Sequence, residues 1–115
     1  MKVLIVDDDP AIRMLYKEEL EDEGYTVVTA SSGDEALKLF DSEDPDIVTL
    51  DILMPGMDGI QVLRHMKEKK PRLPIIMSTA YDYRDDFAIW ASEAYIVKSA
   101  DLTQLKDAIK KLLAK

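Results

Sequence analysis

Ile47-Val48-Thr49-Leu50-Asp51-Ile52-Leu53-Met54-Pro55-Gly56-Met57-Asp58-Gly59 is the stretch on which the fold turns. Its first half is apolar, β-branched and free of charge until Asp51. A short run of this kind reads as a strand buried on both faces, as inside a parallel sheet. The Pro/Gly-rich half that follows is a loop. An acid where a parallel strand meets its loop lies outside the carboxyl end of the sheet, where open α/β proteins place their chemistry.

Working outward from it, the same alternation recurs. Val3 to Val6 is a first buried strand, ending in Asp7-Asp8-Asp9. Pro10 suits the first turn of a helix with Asp9 as its N-cap. Ile12, Leu15, Tyr16 and Leu20 give that helix one apolar stripe, and Gly24 ends it. Tyr25 to Ala30 reads as the second strand. Ser32-Gly33-Asp34-Glu35 has capping-box form and opens a helix through Ala36, Leu37, Leu39 and Phe40. Pro45 breaks the chain before the strand that carries Asp51. A third helix starts at or just before Gly59, with Ile60, Leu63 and Met66 inward. Ile75 to Ala80 is a fourth strand. Asp82 to about Ser92 is a less regular fourth helix with Tyr83, Phe87 and Trp90, residues of packing character. Tyr95 to Lys98 is a fifth strand. Asp101-Leu102-Thr103-Gln104 has the form of a second capping box, before a helix carrying Leu102, Leu105, Ile109, Leu112 and Leu113.

Five strand–helix alternations imply βαβ units with right-handed crossovers. The expected fold is α/β, an open doubly wound five-stranded parallel sheet, (βα)5. Five units are too few for an eight-fold barrel. In the flavodoxin-like order 2-1-3-4-5 the switch point falls between strands 1 and 3, the strands that end in Asp7-Asp8 and Asp51.

Composition narrows the function classes. The 115 residues, 47% hydrophobic and 33% charged, suit one globular domain over residues 1–115. The formal net charge of −8 argues against direct nucleic-acid binding. There is no cysteine, which removes disulfides, thiolate catalysis and cysteine metal sites. The opening apolar run is too short for a signal peptide or membrane span, so a cytoplasmic location without membrane insertion is expected. The chain reads as either free-standing or excised from something larger.

Three carboxylates at one switch point repel one another unless a proton or a cation intervenes. An all-oxygen, partly wet site of this kind suits Mg²⁺, which keeps several waters and often binds phosphate as well. Thr79 adds a hydroxyl and Lys98 a mobile positive charge at two further strand ends. Acids, metal, hydroxyl and lysine together describe a site for a phosphoryl group. Asp51 is the candidate nucleophile, with Thr79 and Lys98 on the phosphoryl oxygens.

Asp7-Asp8, Asp51 with Met54-Pro55-Gly56-Met57-Asp58-Gly59, Thr79-Ala80 and Lys98, in that order, resemble the response-regulator receiver domain, the CheY-like family of two-component signalling. The resemblance spans the whole chain and identifies it as a single receiver domain. It implies that Asp51 accepts a phosphoryl group from a sensor histidine kinase or a histidine phosphotransfer protein. The chain would catalyse its own phosphorylation and dephosphorylation while acting mainly as a signalling switch. The resemblance further implies Mg²⁺, with Mn²⁺ as a substitute, on Asp8, Asp51 and the Leu53 carbonyl, with Asp7 assisting through water. Thr79 and Tyr95 would be the switch pair, altering the surface of the fourth helix, fifth strand and fifth helix toward a downstream protein target.

The chain departs from the family pattern in two places. Ser99 stands where the family usually has proline after the lysine. A non-proline cis bond costs about 3 kcal/mol, so a trans Lys98–Ser99 bond is expected. The usual glycine before the fifth strand is also absent. Leu53 and Tyr81 lie where family members tune loss of the phosphoryl group, and neither can position a hydrolytic water, so a long-lived aspartyl phosphate is expected.

Simpler roles weigh against some residues. Asp9 reads as a helix cap, Asp58 as a turn residue and His65 as solvated surface. Met14 falls off its helix stripe and, with Ala11, Met54 and Pro55, is a candidate docking point for the helices that carry the donor histidine. Three other functions compete. A flavodoxin-like electron carrier would suffer repulsion between Asp7-Asp8-Asp9 and a flavin phosphate. A haloacid-dehalogenase-type phosphatase wants a second aspartate at Leu53. The remaining alternative is a receiver-like binding module that works unphosphorylated.

Overall fold

A computed structural model describes residues 1–51, 59–79, 94–97 and 102–114, which form five strands and four helices. The strands are β1 (Lys2–Val6), β2 (Thr26–Ala30), β3 (Ile47–Asp51), β4 (Ile75–Thr79) and β5 (Ala94–Val97). The helices are α1 (Pro10–Asp22), α2 (Gly33–Glu43), α3 (Gly59–Lys69) and α4 (Thr103–Leu113). All neighbouring strands are parallel and the order is β2-β1-β3-β4-β5, as expected from the sequence. The helix expected at 82–92 lies outside the described residues.

Local chemistry sets the helix ends. Asp9 caps α1, its Oδ1 accepting from the Ala11 N–H at 2.9 Å, and Pro10 takes the first helical position. At the other end the Tyr25 N–H donates to the Leu20 carbonyl and the Gly24 N–H to the Glu21 carbonyl. These are the paired bonds of a Schellman cap, and Gly24 supplies the required left-handed residue at φ +96°. Ser32 caps α2 by accepting from the Glu35 N–H at 3.2 Å. Glu35 reaches back one residue further than in a standard capping box, to the Ser31 N–H at 3.3 Å. Ser32→Ala should destabilise the fold by about 1 kcal/mol, readable as a lower urea midpoint with unchanged slope.

The second expected capping box begins at Asp101, which lies outside the described residues. The N-cap of α4 is Leu102, whose own side chain makes no cap bond. Leu102 is 7% exposed and packs with Leu105 and Ile109. Its burial helps to anchor the start of this helix.

The core lies on both faces of the sheet. Leu4, Val6, Val48, Leu50, Ile75 and Met77 face α2 and α3. Val3, Ile5, Ile47 and Ile76 face α1 and α4. Period-two alternation therefore sends Thr49, Asp51 and Ser78 to the α1/α4 side. Leu15 corrects the expected stripe of α1. It is 37% exposed, whereas Tyr16 and Leu20 are buried and Ile12 packs against the core beside them. Residues at i, i+4 and i+8 form a single line along the helix toward the sheet, and Leu15 falls to its flank.

Candidate phosphoryl-acceptor site

The sheet order puts β1 beside β3 while their crossovers leave in opposite directions, so a crevice opens at their carboxyl ends. The acids expected there come together. One carboxylate oxygen from each of Asp7, Asp8 and Asp51 lies within 4.8 Å of the others. Asp7 and Asp51 are buried at 2% and 4% exposure, whereas Asp8 is exposed.

The chain holds Asp7 by both its backbone and its side chain. Its N–H donates to the Ala30 carbonyl at 3.1 Å, and its own carbonyl accepts from Arg13 Nη1 at 2.7 Å. Its Oδ1 accepts from the Asp9 N–H at 2.9 Å, the local turn that an aspartate before a helix favours. Asp9 itself is occupied with capping and stays out of the acid cluster. Asp51 is the last residue of β3, with Ser78 of β4 as its register partner. Thr79 ends β4 and pairs with Val97 of β5, while Tyr95 pairs with Met77. The backbone thus brings Thr79 to the same edge as Asp51. Lys98, Leu53, Ser99, Met54, Pro55, Asp58, Tyr81, Tyr83, Phe87 and Trp90 lie outside the described residues.

Three hard carboxylate oxygens at this spacing, one acid wet and two dry, fit Mg²⁺. A cation offsets the mutual repulsion that a bare triad carries. Among the described residues this is the group of acids that could hold a metal ion. A groove of about 530 Å³ lined by Asp44, Pro45, Lys70, Arg72 and Pro74 lies at the opposite, amino-terminal edge of β3 and β4, away from these acids.

Among the described residues, two charged groups outside the site have shifted pKa values. A hydrogen bond to Glu19 raises Lys106, with further help from the charges of Glu19 and Glu23, and ties α4 to α1. The Lys70 ammonium lowers Asp44, first by hydrogen bond and then by charge. The Asp44 contribution to stability is therefore present above its unfolded pKa and lost as pH falls through the folded value. That of Lys106 is present below its unfolded pKa and lost as pH rises through the folded value. Both pairs are solvent-facing, so each is a small effect.

Met14 stands 63% exposed on α1, off the packed line as expected, and Ala11 and His65 are exposed too. Tyr16 lies in the expected stripe of α1 and Ser78 within the expected fourth strand, and neither pattern signals that their hydroxyls meet at the residue paired with Asp51. The only signals were a tyrosine in an aliphatic stripe and a serine in an apolar strand.

Comparison with known proteins agrees with this geometry. The sequence model of the response regulator receiver domain matches residues 3–110. Sporulation initiation phosphotransferase F of Bacillus subtilis is 38% identical, over 97% of this chain and 93% of its own length. The alkaline phosphatase synthesis transcriptional regulatory protein PhoP of the same organism is 36% identical, over 97% of this chain. The chain spans about half of PhoP's length, at 48%. Among solved structures, the response regulator TrrA of Thermotoga maritima in complex with Mg(2+)-BeF has a TM-score of 0.93 at 49% identity, covering 96% of this chain and 97% of that one. TrrA in complex with the histidine kinase ThkA gives 0.92 at 50% identity, covering 97% of each chain.

Proposed function

The chain belongs to the response-regulator receiver family, and on that premise we propose that it is a Mg²⁺-dependent phosphoryl acceptor of a two-component system, with Asp51 as the acceptor. The observation that carries the reading is the convergence of Asp7, Asp8 and Asp51 within 4.8 Å at the switch point of the sheet.

An oxygen of Asp51 attacks the phosphorus of a phosphohistidine. The P–N bond breaks, its electron pair stays on the imidazole nitrogen, and the product on this chain is an acyl phosphate. Asp8, Asp51 and the Leu53 carbonyl, with Asp7 assisting through water, would hold Mg²⁺, which when bound would neutralise charge on the phosphoryl oxygens. Mn²⁺, with the same preference for oxygen ligands, would substitute. Thr79 and Lys98 hold the remaining phosphoryl oxygens. Thr79 and Tyr95 transmit the change to the face that includes β5 and α4, where a downstream protein binds. The whole of residues 1–115 acts as one receiver domain. The donor is a sensor histidine kinase or a histidine phosphotransfer protein. The TrrA–ThkA complex supports a kinase partner by analogy. A cytoplasmic location follows from that partnership. No described helix is long and apolar enough to cross a membrane.

The exposed Met14 on α1, on the helix that starts beside the acids, is assigned to donor docking. Met14→Asp should slow phosphotransfer from a phosphorylated kinase by about ten-fold or more, since a desolvated charge at an interface is unfavourable. Labelling by a small phosphodonor should stay at the parent rate. Equal rates from the kinase in both proteins would remove Met14 from the interface. The deciding experiment for the function itself is Mg²⁺-dependent labelling by acetyl phosphate, lost in Asp51→Asn.

A further inference from the structure

Two hydroxyls sit beneath the acid cluster without a part in the chemistry just described. Tyr16 of α1 and Ser78 of β4 are 4% and 3% exposed. Their oxygens face each other at 3.4 Å, with either able to donate. Ser78 is the register partner of Asp51, and both project from the sheet on the side that α1 covers. Partner residues on adjacent strands stand roughly 4.8 Å apart at the backbone. The serine hydroxyl therefore lies beside the base of the Asp51 side chain, and the tyrosine reaches it from α1.

Stability alone does not call for this arrangement. Phenylalanine would fill the Tyr16 position, and alanine the Ser78 position, with no hydroxyl to desolvate. Replacing both partners of a buried hydrogen bond by apolar groups is often close to neutral. The bond is also long for O–H···O and therefore weak. What it does supply is direction. It links α1, the helix that follows Asp7-Asp8-Asp9, to the strand that ends at Thr79, at the residue paired in register with Asp51, and adds no charge to a site already rich in negative charge.

We propose that the Tyr16–Ser78 hydroxyl pair is a positioning device for the acceptor site, holding the Asp51–Ser78 row and the peptide leading into Thr79 in place while the phosphoryl group arrives. This rests on Asp51 being the acceptor. The residues act through the backbone of β4 and touch no reacting atom. Neither hydroxyl carries a charge or belongs to the candidate metal site, so the effect belongs to the rate of transfer and not to metal affinity.

The test uses the full chain with Tyr16→Phe, Ser78→Ala and the double variant. Initial rates of Asp51 labelling are measured against acetyl phosphate concentration at saturating Mg²⁺. Mg²⁺ affinity comes from calorimetry, and thermal midpoints check the fold. Each single variant should lower the maximal rate roughly ten-fold, the order of effect expected when a reacting geometry loosens. The KM for acetyl phosphate and the Mg²⁺ affinity should stay at parent values. The double variant should be no slower than either single one, because the two hydroxyls work as a pair. Parent-like rates in Tyr16→Phe, multiplicative losses in the double variant, or a loss of Mg²⁺ affinity in step with rate would each overturn the proposal. A parent chain that fails to label at Asp51 would overturn the functional reading instead, so the two failures are distinct.

Discussion

Asp51→Asn should abolish Mg²⁺-dependent labelling, with the initial rate falling by at least roughly 10³-fold. The carboxamide has nearly the same shape, so the buried position stays filled. Its oxygen, however, carries no full charge and is a poor nucleophile toward phosphorus. Asp7 and Asp8 remain close by but belong to the loop after β1, on the far side of the crevice from the strand that presents Asp51. The same substitution removes one of three acids from the candidate metal site. In the parent chain Mg²⁺ should raise stability by about 1.4 kcal/mol at ten times its dissociation constant, the linkage expected of any ligand that binds only the folded state. The variant should need far more Mg²⁺ for the same gain. Labelling that survives in Asp51→Asn at parent-like rates would move the acceptor to another residue.

Phe40→Ala should lower stability by about 3–5 kcal/mol, the range for a fully buried phenylalanine. Phe40 is 0% exposed in the cluster with Leu4, Val48, Met66 and Ile75, where α2 meets the sheet and α3. Two effects compete as the explanation of its worth. The Lys70 ammonium sits 5.0 Å from the ring centroid, a contact of about 0.5–1 kcal/mol at an exposed site. The buried ring and the cavity left by its removal are several times larger, so packing decides. In a domain of this size the loss corresponds to a fall of roughly 12–20 °C in the thermal midpoint. Lys70→Ala is the control. It breaks the cation–ring contact and the Lys70–Asp44 pair together, yet should lower stability far less, since both charged groups face solvent. If both variants lost the same amount, the cation and not the cavity would be the source.

Much of the architecture was legible because each element carries its own signal. Strands buried on both faces read as unbroken apolar runs, and four of the five fell where those runs are. The fifth, Ala94–Val97, begins one residue earlier than expected. Asp9, Pro10, Gly24 and Ser32 marked helix ends through bonds made within a few residues. Such local chemistry needs no knowledge of the fold. The burial of Leu102 at the start of α4 was not legible in this way, since it depends on packing with Leu105 and Ile109, to which a capping pattern is blind. Leu15 was misplaced likewise. Two adjacent apolar residues both fit a helical stripe, and only the angle at which α1 lies on the sheet selects Tyr16 over Leu15.

By itself the sequence determined the order of elements, the parallel sheet and the identity of the acids, because period, composition and capping are properties of neighbours along the chain. The tertiary structure decided what neighbours along the chain cannot. It placed Asp7 and Asp51 in a dry crevice with Asp8 left wet, 4.8 Å apart at most among their nearest ligand atoms. It also brought Tyr16 against Ser78 across 62 positions of sequence. Both outcomes depend on sheet order and register, which are set by the burial of whole faces at once, and no single residue carries that information.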